Sequence, residues 1–209
     1  MERIICLVVG YAFGLIESGY LYGKMNGIDI RQHGSGNSGT TNALRVLGKK
    51  AGLVVFIGDV LKTMIPCVAV RILFRDDPPM GYLLTLYTGL GVILGHNYPF
   101  YLKFQGGKGI AATAGILTSL DWRLMVICLI SFVLVVAVSR YVSLGSLVVA
   151  TIFLAWNCVM AGSYGIPEAG PTDYYIVAAA ISVLAFWRHK ANIVRLVHGT
   201  ENKLWGNKK

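Results

Sequence analysis

Three stretches of this sequence concentrate the residue types that hold anions. The first reads His33-Gly34-Ser35-Gly36-Asn37-Ser38-Gly39-Thr40-Thr41-Asn42-Ala43-Leu44-Arg45. Glycines alternate with small hydroxyl and amide residues, after which Thr40-Thr41-Asn42 can cap a short helix carrying Arg45 one turn in. Glycine lets a backbone come close to an anion, and a helix N-terminus offers that anion unpaired N–H groups. Phosphate is the natural guest. The plain alternative, a flexible polar loop, leaves the cap and Arg45 unexplained. The Gly-x-x-x-x-Gly-Lys-Ser/Thr spacing of a nucleotide-hydrolysing loop is absent.

The second stretch, Gly95-His96-Asn97-Tyr98-Pro99 followed by Gly106-Gly107-Lys108-Gly109, sets one lysine among mobile backbone amides where the next apolar helix begins. A snorkelling lysine in an interfacial turn is the alternative. The third, Arg188-His189-Lys190-Ala191-Asn192-Ile193-Val194-Arg195 and on to Glu201, would put His189 and Asn192 three apart on one face if the preceding helix continues. A basic tail on anionic lipid explains Lys203, Lys208 and Lys209 equally well, but not a histidine and an asparagine. A fourth, weaker signal is Ser143 and Ser146 in a short turn after Arg140. Both can donate to an oxyanion, although helix capping by Ser143 is the simpler account.

The elements that must position these residues are membrane helices. Hydrophobic residues make up 55% of the 209-residue chain and charged residues only 14%, well below the quarter usual in soluble domains. Apolar runs over 4–22, 53–74, 82–95, 144–161 and 174–187 approach the roughly 20 residues that cross a bilayer. The first run lacks a small-residue cleavage site and is expected to stay as a span. The run 110–138 is too long for one span and is interrupted by Asp121-Trp122-Arg123. Reading it as a hairpin puts Lys24, Arg31, Arg45, Lys49, Lys50, Lys103, Lys108, Arg140, Arg188, Lys190, Arg195, Lys203, Lys208 and Lys209 on one face, against Arg3, Arg75 and Arg123 opposite; a single span destroys that bias. Cytoplasmic loops are enriched in Lys and Arg. The expectation is therefore an all-α integral membrane protein of about seven transmembrane helices, N-terminus outside and C-terminus cytoplasmic, with short helices in its cytoplasmic loops. Glu2, Asp76, Asp77, Asp121, Glu168 and Asp173 fall on the outer side. No linker divides residues 1–209, which read as a single domain.

The formal net charge of +9 then belongs to the cytoplasmic face and points to anionic headgroups and an anionic substrate, not to nucleic acid. Cys6, Cys67, Cys128 and Cys158 stand singly in apolar runs, without metal-ligand spacing, so neither disulfide, metal nor cofactor is expected. Asp59 and Lys62, three apart within the membrane, read as a mutually neutralising pair, and Glu17 is a further intramembrane charge. His33, His96 and His198 look isolated and structural.

Gly34-Ser35-Gly36-Asn37-x-Gly39-x-Thr41-Asn42, Gly95-His96-x-Tyr98-Pro99 with Gly106-Gly107-Lys108-Gly109, and Arg188-His189-x-x-Asn192-Ile193-x-Arg195-Leu196 with Gly199-x-Glu201 together resemble the bacterial acyl-phosphate:glycerol-3-phosphate acyltransferase family over nearly the whole chain. That resemblance implies a cell inner-membrane enzyme that moves a fatty acyl group from acyl phosphate to the first hydroxyl of sn-glycerol 3-phosphate, giving lysophosphatidate and phosphate in phospholipid biosynthesis. It implies no use of acyl carrier protein or acyl-CoA, in keeping with the absence of a His followed five positions later by Asp. Ala112 stands where the family has threonine, with Thr113 next, and Ala191 stands where an acidic residue is common.

Two phosphorylated substrates, one soluble and one with a fatty tail, need cations and amides beside an apolar groove. The expected catalytic set is Ser35, Arg45, Lys108, His189 and Asn192, holding glycerol phosphate. Acyl phosphate is assigned to the loops at Gly36, Asn37, Gly39, Thr41 and Asn42 and at Gly106, Gly107 and Gly109, with Ser143, Ser146, Arg188 and Glu201 completing the substrate-binding set. Phosphate is a good leaving group, so positioning and oxyanion stabilisation should dominate. Either His189 or the donor's own phosphate takes the acceptor proton; the second is favoured because no carboxylate other than Glu201 is in view for His189. The rival is a small anion transporter or channel, which would place its polar residues near the bilayer midplane in paired repeats.

Overall fold

The structure, a computed structural model, describes residues 1–166 and 172–205. Glu168, Lys208 and Lys209, used above to judge sidedness, lie outside the described residues. The described chain is helical, without strands. In chain order the helices are α1 (Glu2–Gly14), α2 (Ser18–Met25), α3 (Thr40–Leu47), α4 (Lys49–Leu73), α5 (Pro78–Asn97), α6 (Ile110–Leu120), α7 (Trp122–Ser139), α8 (Val142–Met160), α9 (Thr172–Arg188) and α10 (Lys190–Val197).

Four stretches among the described residues are long and apolar enough to cross a membrane: Glu2–Met25, Lys49–Leu73, Trp122–Ser139 and Val142–Tyr164; Ile110–Leu120 is a shorter apolar helix. Their outward faces carry Ile4, Ile5, Val8, Leu53, Ile57, Ile65, Ile130, Val133, Leu134 and Val138, all exposed. In water such a surface would be unstable, whereas in lipid it costs nothing.

The centre is α5, whose buried Leu83, Leu86, Val92 and Ile93 pack with Ile116 and Leu117 of α6, Leu124 of α7, Phe153 of α8 and Tyr174, Val177 and Ile181 of α9. Lipid tails are as apolar as leucine, so helix pairing in a bilayer depends on close backbone approach. Glycine supplies it here. A Cβ on Gly10 or Gly14 of α1 would come within 2.2 or 2.3 Å of a carbonyl oxygen of α5, and one on Gly91 or Gly95 of α5 within 2.2 or 2.3 Å of α1.

Two helix breaks matter for the site. The interrupted run 110–138 is indeed two helices: Asp121 is extended at φ −158° and its carboxylate accepts from the Arg123 backbone N–H, capping α7. The first span, expected to be continuous, breaks at Leu15–Glu17 into α1 and α2, because Glu17 is drawn inward to buried partners. Asp173 and Arg188 stand at opposite ends of α9. Arg3 meets Asp173 at 2.6 Å and Tyr164 meets Asp121 at 3.1 Å at one end, while every anion-type stretch gathers at the other. Cys6, Cys67 and Cys128 are buried free thiols; Cys158 is exposed, facing outward on α8.

Candidate active site

The four polar stretches, whose contacts join residues up to 157 apart in sequence, line one cavity of about 250 Å³. Asn37, Gly39, Thr41, Arg45, Lys108, Gly109, Ser143, Ser146, His189, Asn192 and Glu201 all face it. Ser35 and Gly36 are exposed and do not line it, and Asn42, Gly106, Gly107 and Arg188 stand behind the lining residues. Thr40, Asp59 and His96, together with apolar Leu44, Phe56, Ile110, Ala111, Phe132, Val142 and Leu204, complete the lining. Of these, Thr40 falls in the Gly36–Thr41 loop that the sequence assigns to acyl phosphate; Asp59, His96 and the apolar residues were not assigned to the site, and Asp59, a carboxylate inside a span, carried a signal.

The first loop is built by Asn42. Its amide donates to the carbonyls of Ile30 at 3.1 Å and His33 at 3.0 Å, and its oxygen accepts from the Ser35 N–H at 2.8 Å. Asn42 is thus spent on shaping the turn, and the expected side-chain cap at Thr40-Thr41-Asn42 does not form: Gly39 is the N-cap of α3, without a side-chain hydrogen bond. The physical reason is that an asparagine already inside the first turn points back along the chain. The consequence is that the N–H groups at the start of α3 and the buried, unpartnered Thr40 hydroxyl are left for a guest.

The second loop repeats that arrangement. Gly109 caps α6 at φ +85°, a left-handed conformation that glycine adopts freely. Gly106 and Gly107 are held from behind by Arg188, whose Nε and Nη2 donate to the Gly107 carbonyl at 3.1 and 2.7 Å and whose Nη2 donates to Gly106 at 3.0 Å. The same guanidinium lies 5.0 Å over the Tyr98 ring. Asn37 also donates to Gly106 at 3.2 Å, tying the two loops together.

The third stretch breaks instead of continuing as one helix: α9 ends at Arg188 and His189 precedes α10. His189 and Asn192 both still face the cavity. Asn192 accepts from Lys108 Nζ through its oxygen and donates to Glu201 at 2.8 Å, and Glu201 takes Arg195 at 2.7 Å. Glu201 is therefore committed to Asn192 and Arg195, not to His189. His189 instead uses Nδ1 with the Ala185 carbonyl at 2.7 Å. A carbonyl can only accept, so Nδ1 carries the proton and Nε2 the lone pair. Ser143 lies within α8 and caps nothing; its buried hydroxyl has no partner, whereas Ser146 donates to the Val142 carbonyl at 2.9 Å.

Sorting the cations shows what the cavity lacks. Arg195 is neutralised by Glu201 and Arg188 is spent on carbonyls and a ring. Among the described residues Arg45 has only a 3.4 Å bond to the Asn202 carbonyl, and Lys108 only the neutral Asn192. Burial lowers both from their usual range, Lys108 to about 8. Burial and the Lys108 charge push His189 down to about 4. Two under-compensated cations, two helix N-termini and two idle hydroxyls around one small cavity, with aromatic and aliphatic groups on its other wall, make a receptor for phosphate attached to something apolar.

Asp59 and Lys62 pair at 3.0 Å, as their spacing suggested, but not alone. His96, which looked isolated, places Nδ1 3.0 Å from Glu17 and 2.8 Å from Lys62 Nζ. The α1–α2 break is what brings Glu17 into reach, and no local spacing announces it. His33 and His198 are exposed.

Residues 4–199 match the family model described as glycerol-3-phosphate acyltransferase. The chain is 40% identical over 211 residues to the glycerol-3-phosphate acyltransferase of Clostridioides difficile (strain 630), covering 99% of this chain and 97% of that one. It is 38% identical over 205 residues to that of Thermoanaerobacter sp. (strain X514), covering 98% and 96%. Among solved structures it is similar to PlsY (YgiH), an integral membrane glycerol 3-phosphate acyltransferase. The glycerol 3-phosphate form aligns with a TM-score of 0.83 at 31% identity over 99% of this chain and 96% of that one. The lysophosphatidic acid form aligns with a TM-score of 0.80 at 31% identity over 97% and 95%.

Proposed function

The chain belongs to the glycerol-3-phosphate acyltransferase family and is a multi-pass membrane acyltransferase acting on glycerol 3-phosphate; we propose that its donor is acyl phosphate and that transfer takes place in the cavity between the two glycine-rich loops and α10. One observation carries this reading: Arg45 and Lys108, the arginine and lysine that line the cavity, have no ion-paired carboxylate among the described residues and share that cavity with Phe56 and Phe132. A phosphate-bearing head and a fatty tail match that division.

Glycerol phosphate is assigned to Arg45, Lys108, His189 and Asn192, with Ser35 closing from the rim. The donor's phosphate is assigned to the Gly36–Thr41 loop, the Gly106–Gly109 loop and the Ser143 and Ser146 hydroxyls. Its acyl chain runs along the apolar wall into lipid. The acceptor hydroxyl oxygen bonds to the acyl carbon as the carbon–oxygen bond to phosphate breaks, and the proton leaves on the departing phosphate. His189, neutral with its lone pair on Nε2, is too weak a base in the empty cavity to hold that proton. It accepts a hydrogen bond from the acceptor's other hydroxyl and so aims the reacting oxygen, whose own proton points to the departing phosphate. The helix N-termini stabilise the charge that develops on the carbonyl oxygen.

The α1–α2 stretch together with α4 to α9 supports seven crossings, and the concentration of Lys and Arg at the site end supports a cytoplasmic site in the inner membrane, with the N-terminus outside. No acyl carrier protein is assigned a part, and membrane lipid is the surrounding partner. The decisive experiment supplies purified protein with palmitoyl phosphate and glycerol 3-phosphate and follows phosphate and lysophosphatidate together. Equimolar formation is expected. Activity with palmitoyl-CoA but not palmitoyl phosphate would overturn the donor assignment.

A further inference from the structure

At the floor of the cavity, which Asp59 and His96 line, Glu17, Asp59, Lys62 and His96 form one buried cluster inside the membrane-spanning part, each no more than 4% exposed. Charges at such depth are costly unless paired, and this set does more than neutralise itself. Lys62 Nζ donates to the Ile16 carbonyl at 2.7 Å and to Gly14 at 3.4 Å, closing the C-terminal end of α1 with a cation. Glu17 sits before α2, where the helix dipole favours a carboxylate. The break in the first span is therefore organised by these two residues.

From that position Glu17 reaches the first anion loop. Asn37 and Gly39 face the cavity, while Ser38 between them is buried and donates through Oγ to Glu17 Oε2 at 2.6 Å. The fit is tight from the other side too: a Cβ on Gly19 would lie 1.7 Å from the Ser38 carbonyl oxygen. The same cluster touches the second loop. The Gly107 N–H donates to the His96 carbonyl at 2.9 Å, and a Cβ on Gly107 would lie 2.0 Å from His96 Nε2. Both anion loops thus rest on one ion-paired support within the helix bundle.

We propose that Glu17 is a positioning residue for acyl transfer, acting through Ser38 to hold the Asn37–Thr41 backbone in the shape that receives the donor's phosphate. Glu17 does not line the cavity and touches no substrate. Its carboxylate replaces the water that a flexible glycine-rich loop would otherwise bind, so the loop is ordered before the donor arrives. The proposal rests on the assignment of acyl phosphate to this loop.

The test compares wild type, Ser38→Ala, Glu17→Gln and the double variant in detergent, each checked for folding by thermal melting. Ser38→Ala removes a single hydroxyl from a contact to a carboxylate, and is expected to raise KM for palmitoyl phosphate about tenfold, the worth of one charge-assisted hydrogen bond. KM for glycerol 3-phosphate should change less than about twofold. General loss of structure would not produce that split. Glu17→Gln should act in the same direction, and the double variant should be no worse than the worse single one, since both cut one contact. If Glu17→Gln does not fold, Ser38→Ala decides alone. Unchanged KM for palmitoyl phosphate in folded Ser38→Ala, or equal increases for both substrates, would overturn the inference. Inactive wild type with palmitoyl phosphate would instead refute the donor assignment itself.

Discussion

Lys108, in the loop before α6, donates from Nζ to the side-chain oxygen of Asn192 in α10, 84 residues further along the chain. Asn192 is held in turn by Glu201, and Glu201 by Arg195. The ammonium is thus aimed by a relay of neutral and charged groups, without any carboxylate touching it. A cation held this way keeps its charge available to a phosphate, which a directly paired lysine would not.

Lys108→Ala and Arg45→Ala are each expected to lower turnover by at least about a hundredfold, in line with losing charged contacts to phosphate. Both proteins should still melt cooperatively. Phosphate release from palmitoyl phosphate is the measurement, and near-normal rates in both would sink the anion-site assignment. Asn192→Ala should raise KM for glycerol 3-phosphate by a smaller factor, because Lys108 remains but is no longer aimed.

On the proposed assignment the protonated form of Lys108 binds phosphate, and burial brings this lysine to about 8. As pH rises through that value the charge is lost, so kcat/KM, which reports the free enzyme, should fall. In Lys108→Arg the cation stays charged throughout, and that alkaline limb should vanish from the profile even if the rate is lower. His189, held at about 4, is neutral across the physiological range. It should contribute no titration near pH 7; a limb there that disappears in His189→Gln would assign it the base role instead.

Arg188→Gln removes three donations to the Gly106 and Gly107 carbonyls together with the cation over Tyr98. kcat/KM should drop about tenfold or more. Arg188→Lys should restore little, since an ammonium cannot span two carbonyls as a planar fork does. Full activity in Arg188→Gln would show that the second loop holds its shape unaided.

Asp121→Ala, at the far end of the bundle, removes the cap of α7 and its bonds to Arg123 and Tyr164. Loss of a cap costs about 1 kcal/mol, and Tm should fall by a few degrees while KM for both substrates holds. A large change in KM would mean that the two ends of the bundle are coupled.

Much of the architecture could be read from composition alone, because a bilayer imposes the same length and polarity on every span whatever it packs against. The interruption at Asp121 was legible for the same reason: an aspartate and an arginine astride a tryptophan cannot stay in the hydrocarbon middle of one helix. Arg45, Lys108, His189 and Asn192 could be picked out because cations, a histidine and an amide beside glycines have little structural use at a helix end. What each polar group spends its hydrogen bonds on was not legible. Asn42 looked like a cap and shapes a turn, Arg188 looked like a ligand for substrate and braces a loop, and Ser143 looked like a cap and stands idle in the cavity wall.

The sequence by itself determined that this chain lives in a membrane and concentrates anion-binding residue types in its polar segments, since both follow from residue type and local spacing. Only the tertiary structure decided which cations stay uncompensated and that Glu17, Asp59, Lys62 and His96 form one buried support. Those outcomes depend on partners distant in sequence, brought within a few ångströms by glycine-to-backbone packing and by a break in the first span. Short-range patterns are blind to such meetings, because a hydrogen bond is a property of two positions in space and a sequence records only their order.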